Sequence, residues 1–153
     1  MLPDPRPTRL TGPGSAAANG HAPDRSRFGI CRDIFIADSD AEAKRRAKAS
    51  GLGDCWRQYL MPIYKKFNLL QGLLDDSGTS IAPNDIDEDF LAEHVWLCGS
   101  PQTVVRKLER MAEIAGPWGM IVVNSHDNMD NSAPYFESLQ RLSQEVAPKV
   151  RMS

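Results

Sequence analysis

The sequence is short of the features that would settle its class at once. No apolar run approaches the roughly 20 residues of a membrane-crossing helix, and the N-terminus has no apolar core of the secretory kind. There is no charge surplus: 18 Lys and Arg stand against 20 Asp and Glu. That balance argues against a nucleic-acid partner, and the one basic cluster, "KRRAK" (44–48), closes a helix, where cations suit the dipole. Cysteines number three, Cys31, Cys55 and Cys98, at wide and irregular spacing. They form neither a disulfide framework nor a zinc knuckle, and they fit reduced thiols in a cytoplasmic protein. His94 and Cys98 lie four apart without a second pair, so no metal centre is expected. Glycine-rich phosphate loops and the G-x-S-x-G nucleophile elbow are both missing.

What remains is an ordinary globular composition with a clear alternation of elements. Residues 1–27 carry five of the eleven prolines and almost no large apolar side chain, which predicts irregular or disordered chain with a short helix at Ser15–Asn19. Order begins with "ICRDIFIA" (30–37), a β-branched run that reads as one strand. Ser39 and Glu42 then stand in capping-box spacing, and the helix they open ends at Gly51. In the helical stretch 54–74, Trp56, Tyr59, Leu60, Ile63, Tyr64, Phe67 and Leu70 recur on one face, with a bend expected at Pro62. Such a stripe is ordinarily core; the functional reading makes Trp56, Tyr59 and Phe67 the wall of a pocket for an apolar substrate. An acidic loop (75–89) and a short helix (87–94) follow.

The short segment "VWLC" precedes "GSPQTVVRKL", where Ser100 is a helix N-cap, Pro101 takes the first helical position, and Gly116 with Pro117 ends the helix. "MIVV" (120–123) is a continuous apolar run that suits a strand buried on both faces. A last helix is expected from Ala133 to Ala147, ended by Pro148. Strand–helix, helical insertion, strand–helix, strand–helix predicts parallel βαβ units.

In parallel α/β folds ligands meet the carboxyl ends of strands. Gly99 and Ser100, small and at a helix start, are candidates for an anionic group of a cofactor. Asn124, Ser125 and His126 follow the last strand, and His126 is the candidate for proton transfer near neutral pH.

Three segments in order, "RDIFIADSDAEAKRRA", "VWLCGSPQTVVRKLERMAEIAG" and "GMIVVNSHDNMDNSAPYFESLQRLSQEVAPKVR", resemble the C-terminal portion of the luciferase-like flavin-dependent monooxygenases, over roughly residues 16–151. The G-S-P-x-x-V-x-x-L element and "SLQRLSQEVAP" (138–148) carry most of the match. The family often has an aromatic residue after His-Asp, where this chain has Asn128. The resemblance implies an α/β fold, with residues 28–153 as strands six to eight of a (β/α)8 barrel. It also implies reduced FMN supplied by a separate flavin reductase, with F420 as the alternative cofactor, and transfer of one oxygen atom from O2 to a small apolar substrate. A (β/α)8 barrel needs about 250 residues, so the chain resembles a C-terminal fragment. Three parallel strands leave open edges, so it is expected to aggregate, or to need the missing barrel half or another copy of itself. A non-catalytic module that complements another barrel fragment is the competing expectation.

Overall fold

The computed structural model describes residues 17–22, 24–75 and 79–151. Residues 1–16, and with them the start of the helix expected at Ser15–Asn19, lie outside the described residues. Among the described residues four short strands form: β1 (Gly29–Arg32), β2 (Ile34–Ile36), β3 (Leu97–Gly99) and β4 (Met120–Val123). Both pairings are parallel, β1 with β4 (Gly29 opposite Met120, Arg32 opposite Val123) and β2 with β3 (Ile34 opposite Leu97, Ile36 opposite Gly99). The single strand expected over 30–37 is therefore divided, and the division falls on Asp33. Successive carbonyls serve different strands there: Arg32 accepts from the Asn124 N–H at 3.0 Å, Asp33 from the Leu97 N–H at 2.9 Å.

The helices behind β2 and β3 open where their sequence signals place them, but the first ends at Lys48, and Gly51, expected to close it, instead begins the next helix behind the Ser50 cap. In α1 (Asp40–Lys48) the Ser39 hydroxyl accepts from the Glu42 N–H at 3.2 Å, acidic residues open the helix and Arg45, Arg46 and Lys48 close it, as the dipole favours. Only Ala43 and Ala47 are buried, and their small size lets α1 approach the sheet closely. The longer α6 (Pro101–Ala115), sixth in chain order, buries Val104, Leu108 and Ala112, one residue per turn, against the strands. It ends at Gly116, whose φ of 81° is the left-handed conformation that glycine tolerates. Arg25, in a short 3₁₀ turn (Arg25–Arg27), donates to the carbonyl of Ala115 and so caps that helix end from outside.

The long helix expected over 54–74 is broken up. The chain runs through α2 (Gly51–Cys55), a π turn (Trp56–Leu60) and α3 (Met61–Lys66). Asn68 then takes a positive φ of 56°, and a separate α4 (Leu70–Asp75) comes next. Pro62 accounts for the π turn: it offers no N–H to the turn before it and its ring crowds the carbonyl four residues back. The backbone responds with an i→i+5 bond from the Met61 N–H to the Trp56 carbonyl. The helix expected at 87–94 is a short α5 (Glu88–Phe90) that widens into a second π turn (Leu91–Val95). The last helix, α7 (Ser132–Arg141), passes through a third (Leu142–Val146) and ends in a 3₁₀ turn (Ala147–Lys149).

Alternation along β2 divides the core in two. Ile34 and Ile36 pack with Leu97, Val104, Leu108, Trp118 and Val146, while Phe35 packs on the opposite side with Leu52, Trp56, Phe90 and Trp96. β2 and β3 are buried throughout, but β4 is not. Met120 is 55% and Val122 46% exposed, which corrects the expectation of a strand buried on both faces. Among the described residues one layer covers β4, on the side of Ile121 and Val123, and only β1 pairs with it.

Two outcomes test this packing. Ser138 in α7 is buried and its hydroxyl accepts from the Ile36 N–H at 2.8 Å. Ser138→Ala should lower the unfolding free energy by about 1–3 kcal/mol, the cost of a buried donor left unpaired, measured by urea titration. Val122→Lys should reduce self-association in sedimentation runs, because it charges the open face of β4; unchanged association would place the adhesive surface elsewhere.

Candidate active site

An ionised side chain largely shielded from water at the junction of two strands has to find partners. Asp33 finds three. One carboxylate oxygen accepts from His126 Nε2 at 2.8 Å and from Asn124 Nδ2 at 3.1 Å, and the other accepts from the Trp56 indole N–H at 3.3 Å. Both His126 and Asp33 are only 13% exposed at the side chain. The Asn124 amide oxygen in turn accepts from the Cys31 thiol at 2.8 Å. Cys31 and Asp33 share a face because they are two residues apart along an extended segment, and Asn124 and His126 reach them from the carboxyl end of β4.

Burial pushes the Asp33 carboxyl up, but the hydrogen bonds from His126, Asn124 and Trp56, with the His126 charge, outweigh it and hold the group below its ordinary value. An ionised carboxylate only accepts, so the proton between the two groups sits on His126 Nε2. The remaining ring nitrogen, Nδ1, is an acceptor in the neutral ring and a donor in the charged one. The arrangement is an oriented imidazole backed by a carboxylate. Cys98, by contrast, is buried, and burial pushes its thiol up to about 12, which leaves no thiolate for nucleophilic chemistry.

The sequence-predicted residues divide sharply. His126 and Asn124 are in the cluster, while Ser125 is exposed beside it and makes none of its hydrogen bonds. Trp56 is there as well, buried, its ring centroid 5.3 Å from Tyr64 and 6.3 Å from Trp96. Tyr59 and Phe67 are 63% and 60% exposed and do not join it in one wall. The π turn slips the helical register between Trp56 and Tyr59, and Phe67 sits at the frayed end of α3.

Gly99 and Ser100 stand apart from the cluster too. Gly99 is level with Ile36, three residues beyond Asp33, about 10 Å at the strand rise. The anion position there is already filled: the Ser100 N–H donates to Asp40 Oδ1 at 2.7 Å, and the Thr103 hydroxyl donates to Oδ2 at 3.0 Å. Gly99 itself is required, because a Cβ would press on Thr103 and Asp40. A groove of about 350 Å³ lies between α1 and α7, lined by Arg45, Arg46, Ser50 and Glu137 among others, and does not touch the Asp33 cluster. No group of three metal-ligating side chains occurs among the described residues. Sequence reasoning missed Asp33, although a lone acid inside "ICRDIFIA" was the available signal.

The depressed Asp33 carboxyl fixes a pH dependence. Its stabilisation is complete above the unfolded carboxylate pKa of about 3.9 and is lost as pH falls through the lower folded value. Urea midpoints taken between pH 7 and pH 3 should therefore fall more steeply for the natural chain than for Asp33→Asn. Parallel curves would show that the carboxylate is not held as described.

No family model matches the sequence. Individual relatives do. The 2,5-diketocamphane 1,2-monooxygenase 1 of Pseudomonas putida is 67% identical over 135 residues, which are 88% of this chain and 37% of that protein. The 3,6-diketocamphane 1,6-monooxygenase of the same organism is 43% identical over 136 residues, 89% of this chain and 35% of that one. Among solved structures, a type II Baeyer–Villiger monooxygenase, the oxygenating constituent of 3,6-diketocamphane monooxygenase from the CAM plasmid of Pseudomonas putida in complex with FMN, superposes with a TM-score of 0.86 at 42% identity. That match covers 92% of this chain and 38% of the other. The chain thus spans little more than a third of the length of the relatives it matches. By sequence and by fold it is homologous to part of the luciferase-like flavin-dependent monooxygenases.

Proposed function

We propose that this chain is the C-terminal part of an FMN-dependent monooxygenase that inserts one oxygen atom from O2 into an apolar cyclic ketone, working in the cytoplasm with a separate flavin reductase. The observation that carries the reading is the Asp33–His126 pair at the carboxyl end of β4, in a chain that superposes on an FMN-bound oxygenase. FMN, rather than F420, is the cofactor in that neighbour.

The described residues fit part of such a cofactor. Asn124 and His126 supply hydrogen-bonding groups at one edge of a site, backed by the apolar body of Trp56. The Ser100 turn supplies no open anion cradle, since Asp40 holds its N–H. Bound reduced FMN supplies the activation of dioxygen. The chain's own part is to hold His126 so that Nδ1 is available for a hydrogen bond to the bound molecules, and Asp33 fixes the ring for that purpose.

A second reading is favoured by the exposed side of β4: the chain acts as an assembly module that completes a barrel contributed by another polypeptide. One experiment addresses both. FMN fluorescence is titrated, with and without dithionite, against the chain alone and against the chain co-purified with the preceding part of 2,5-diketocamphane 1,2-monooxygenase 1. Saturable binding only in the second case, with turnover of a bicyclic ketone when a reductase is added, is the expected result. In that assembly His126→Ala should lower kcat by about a hundredfold, the usual scale for a proton-transfer or hydrogen-bonding group. Unchanged kcat would remove His126 from the site, and no binding in either case would leave the flavin reading without support.

A further inference from the structure

The loop that carries His126 is held from a second direction, by a residue whose type departs from the resemblance. Asn128 donates from Nδ2 to the His126 carbonyl at 2.9 Å, and its amide oxygen accepts from the Gly51 N–H at 3.1 Å. Gly51 opens α2, and a Cβ at that position would collide with the Asp127 carbonyl, so helix and loop lie in direct backbone contact. Five residues after Gly51, Trp56 donates to Asp33, which accepts from His126. The contacts close a ring: Gly51, Asn128, His126, Asp33, Trp56, and back along the helical backbone to Gly51.

We infer that Asn128 is a positioning residue, which fixes the His126 backbone so that the imidazole meets Asp33 through Nε2. A histidine ring turns on two torsions from its backbone. With the carbonyl of residue 126 tied to Asn128 and the ring tied to Asp33, both ends of the side chain are restrained, and the neutral ring is held as the Nε2–H tautomer. The Asn128 amide supplies both groups needed, a donor for the His126 carbonyl and an acceptor for the Gly51 N–H. The helical segment 51–60 and the end of β4 are thereby clamped at two points, Gly51 to Asn128 and Trp56 to the Asp33–His126 pair.

The inference rests on His126 being a site residue, but its test needs no flavin, so its failure and that of the functional reading are separable. The His126 tautomer ratio is read from ¹⁵N-resolved imidazole spectra of the full chain at a pH where the ring is neutral. Asn128→Ala should lower the Nε2–H to Nδ1–H ratio about five- to tenfold, the scale of one lost hydrogen bond. Ser50→Ala is the control: it removes the Leu52 N–H cap of α2, at 3.2 Å, without touching His126. A tautomer change as large in Ser50→Ala, or none in Asn128→Ala, would overturn the inference. If Asn128→Ala does not fold, the natural chain still decides: the Asn128 side-chain amide should exchange more slowly than that of the exposed Asn84. Equal exchange would overturn it equally.

Discussion

A carboxylate at the junction of two strands has to be solvated by the protein if water is removed from it, and the arrangement around Asp33 is what that requirement produces. Three donors from two separate segments converge on it: His126 and Asn124 from beyond β4, and Trp56 from the helical insertion. Neither of these segments is near Asp33 in sequence, so the carboxylate draws together parts of the chain that hydrophobic packing alone would leave loosely related. The backbone at the same residue changes partners, from β4 to β3. A pair of this kind gains its net worth from complete hydrogen bonding rather than from Coulomb attraction alone, and here both carboxylate oxygens are engaged.

The π turns serve the same end. An i→i+5 turn adds a residue to the helix and rotates its later turns relative to its earlier ones. At Trp56–Leu60 it lets Trp56 face Asp33 while the helix goes on past Pro62. At Leu91–Val95 it brings the chain into β3, where backbone carbonyls would otherwise lack donors. Lys107 of α6 meets that need, donating to the carbonyls of Glu93, Trp96 and Cys98 at 2.9, 3.3 and 3.2 Å. Burial lowers its pKa, and the carbonyls surround an ammonium that would otherwise be poorly solvated. A lysine on the outer helix thus holds the end of an inner element in place.

Local chemistry was the legible part of the sequence. Ser39, Ser100, Pro101 and Gly116 act over three or four residues, and each cap forms where its spacing places it. The parallel order of the strands was legible as well, because strand–helix alternation leaves few other topologies. The misreadings share a cause: each depended on something distant in sequence. Tyr59 and Phe67 fit a 3.6-residue stripe only if the helix is regular, and the π turn ahead of Pro62 makes it irregular. "MIVV" is apolar enough for full burial, but apolarity does not specify how many layers will cover it. Ser100 has the makings of an anion site, and only the fold reveals that Asp40, sixty residues earlier, already occupies it.

The open side of β4 and the open side of the cluster are continuous. Asn124 comes directly after Val123, and Met120 and Val122 lie on the exposed face of the strand that leads into it. The oxygen transfer proposed above would need water kept from the reacting centre, and a cluster at the lip of a strand with one exposed face does not do this alone. Any polypeptide that packs on Met120 and Val122 also walls the approach to Asn124 and His126. Burial of apolar surface would then drive both assembly and closure of the site, so that one packing event completes the fold and the chemistry. The strength of that event is set by few groups, since two side chains of this size bring about 1.5–3 kcal/mol each on full burial. The rest has to come from the edge of β4 that no strand among the described residues pairs with, whose N–H and C=O groups are a template for one more strand.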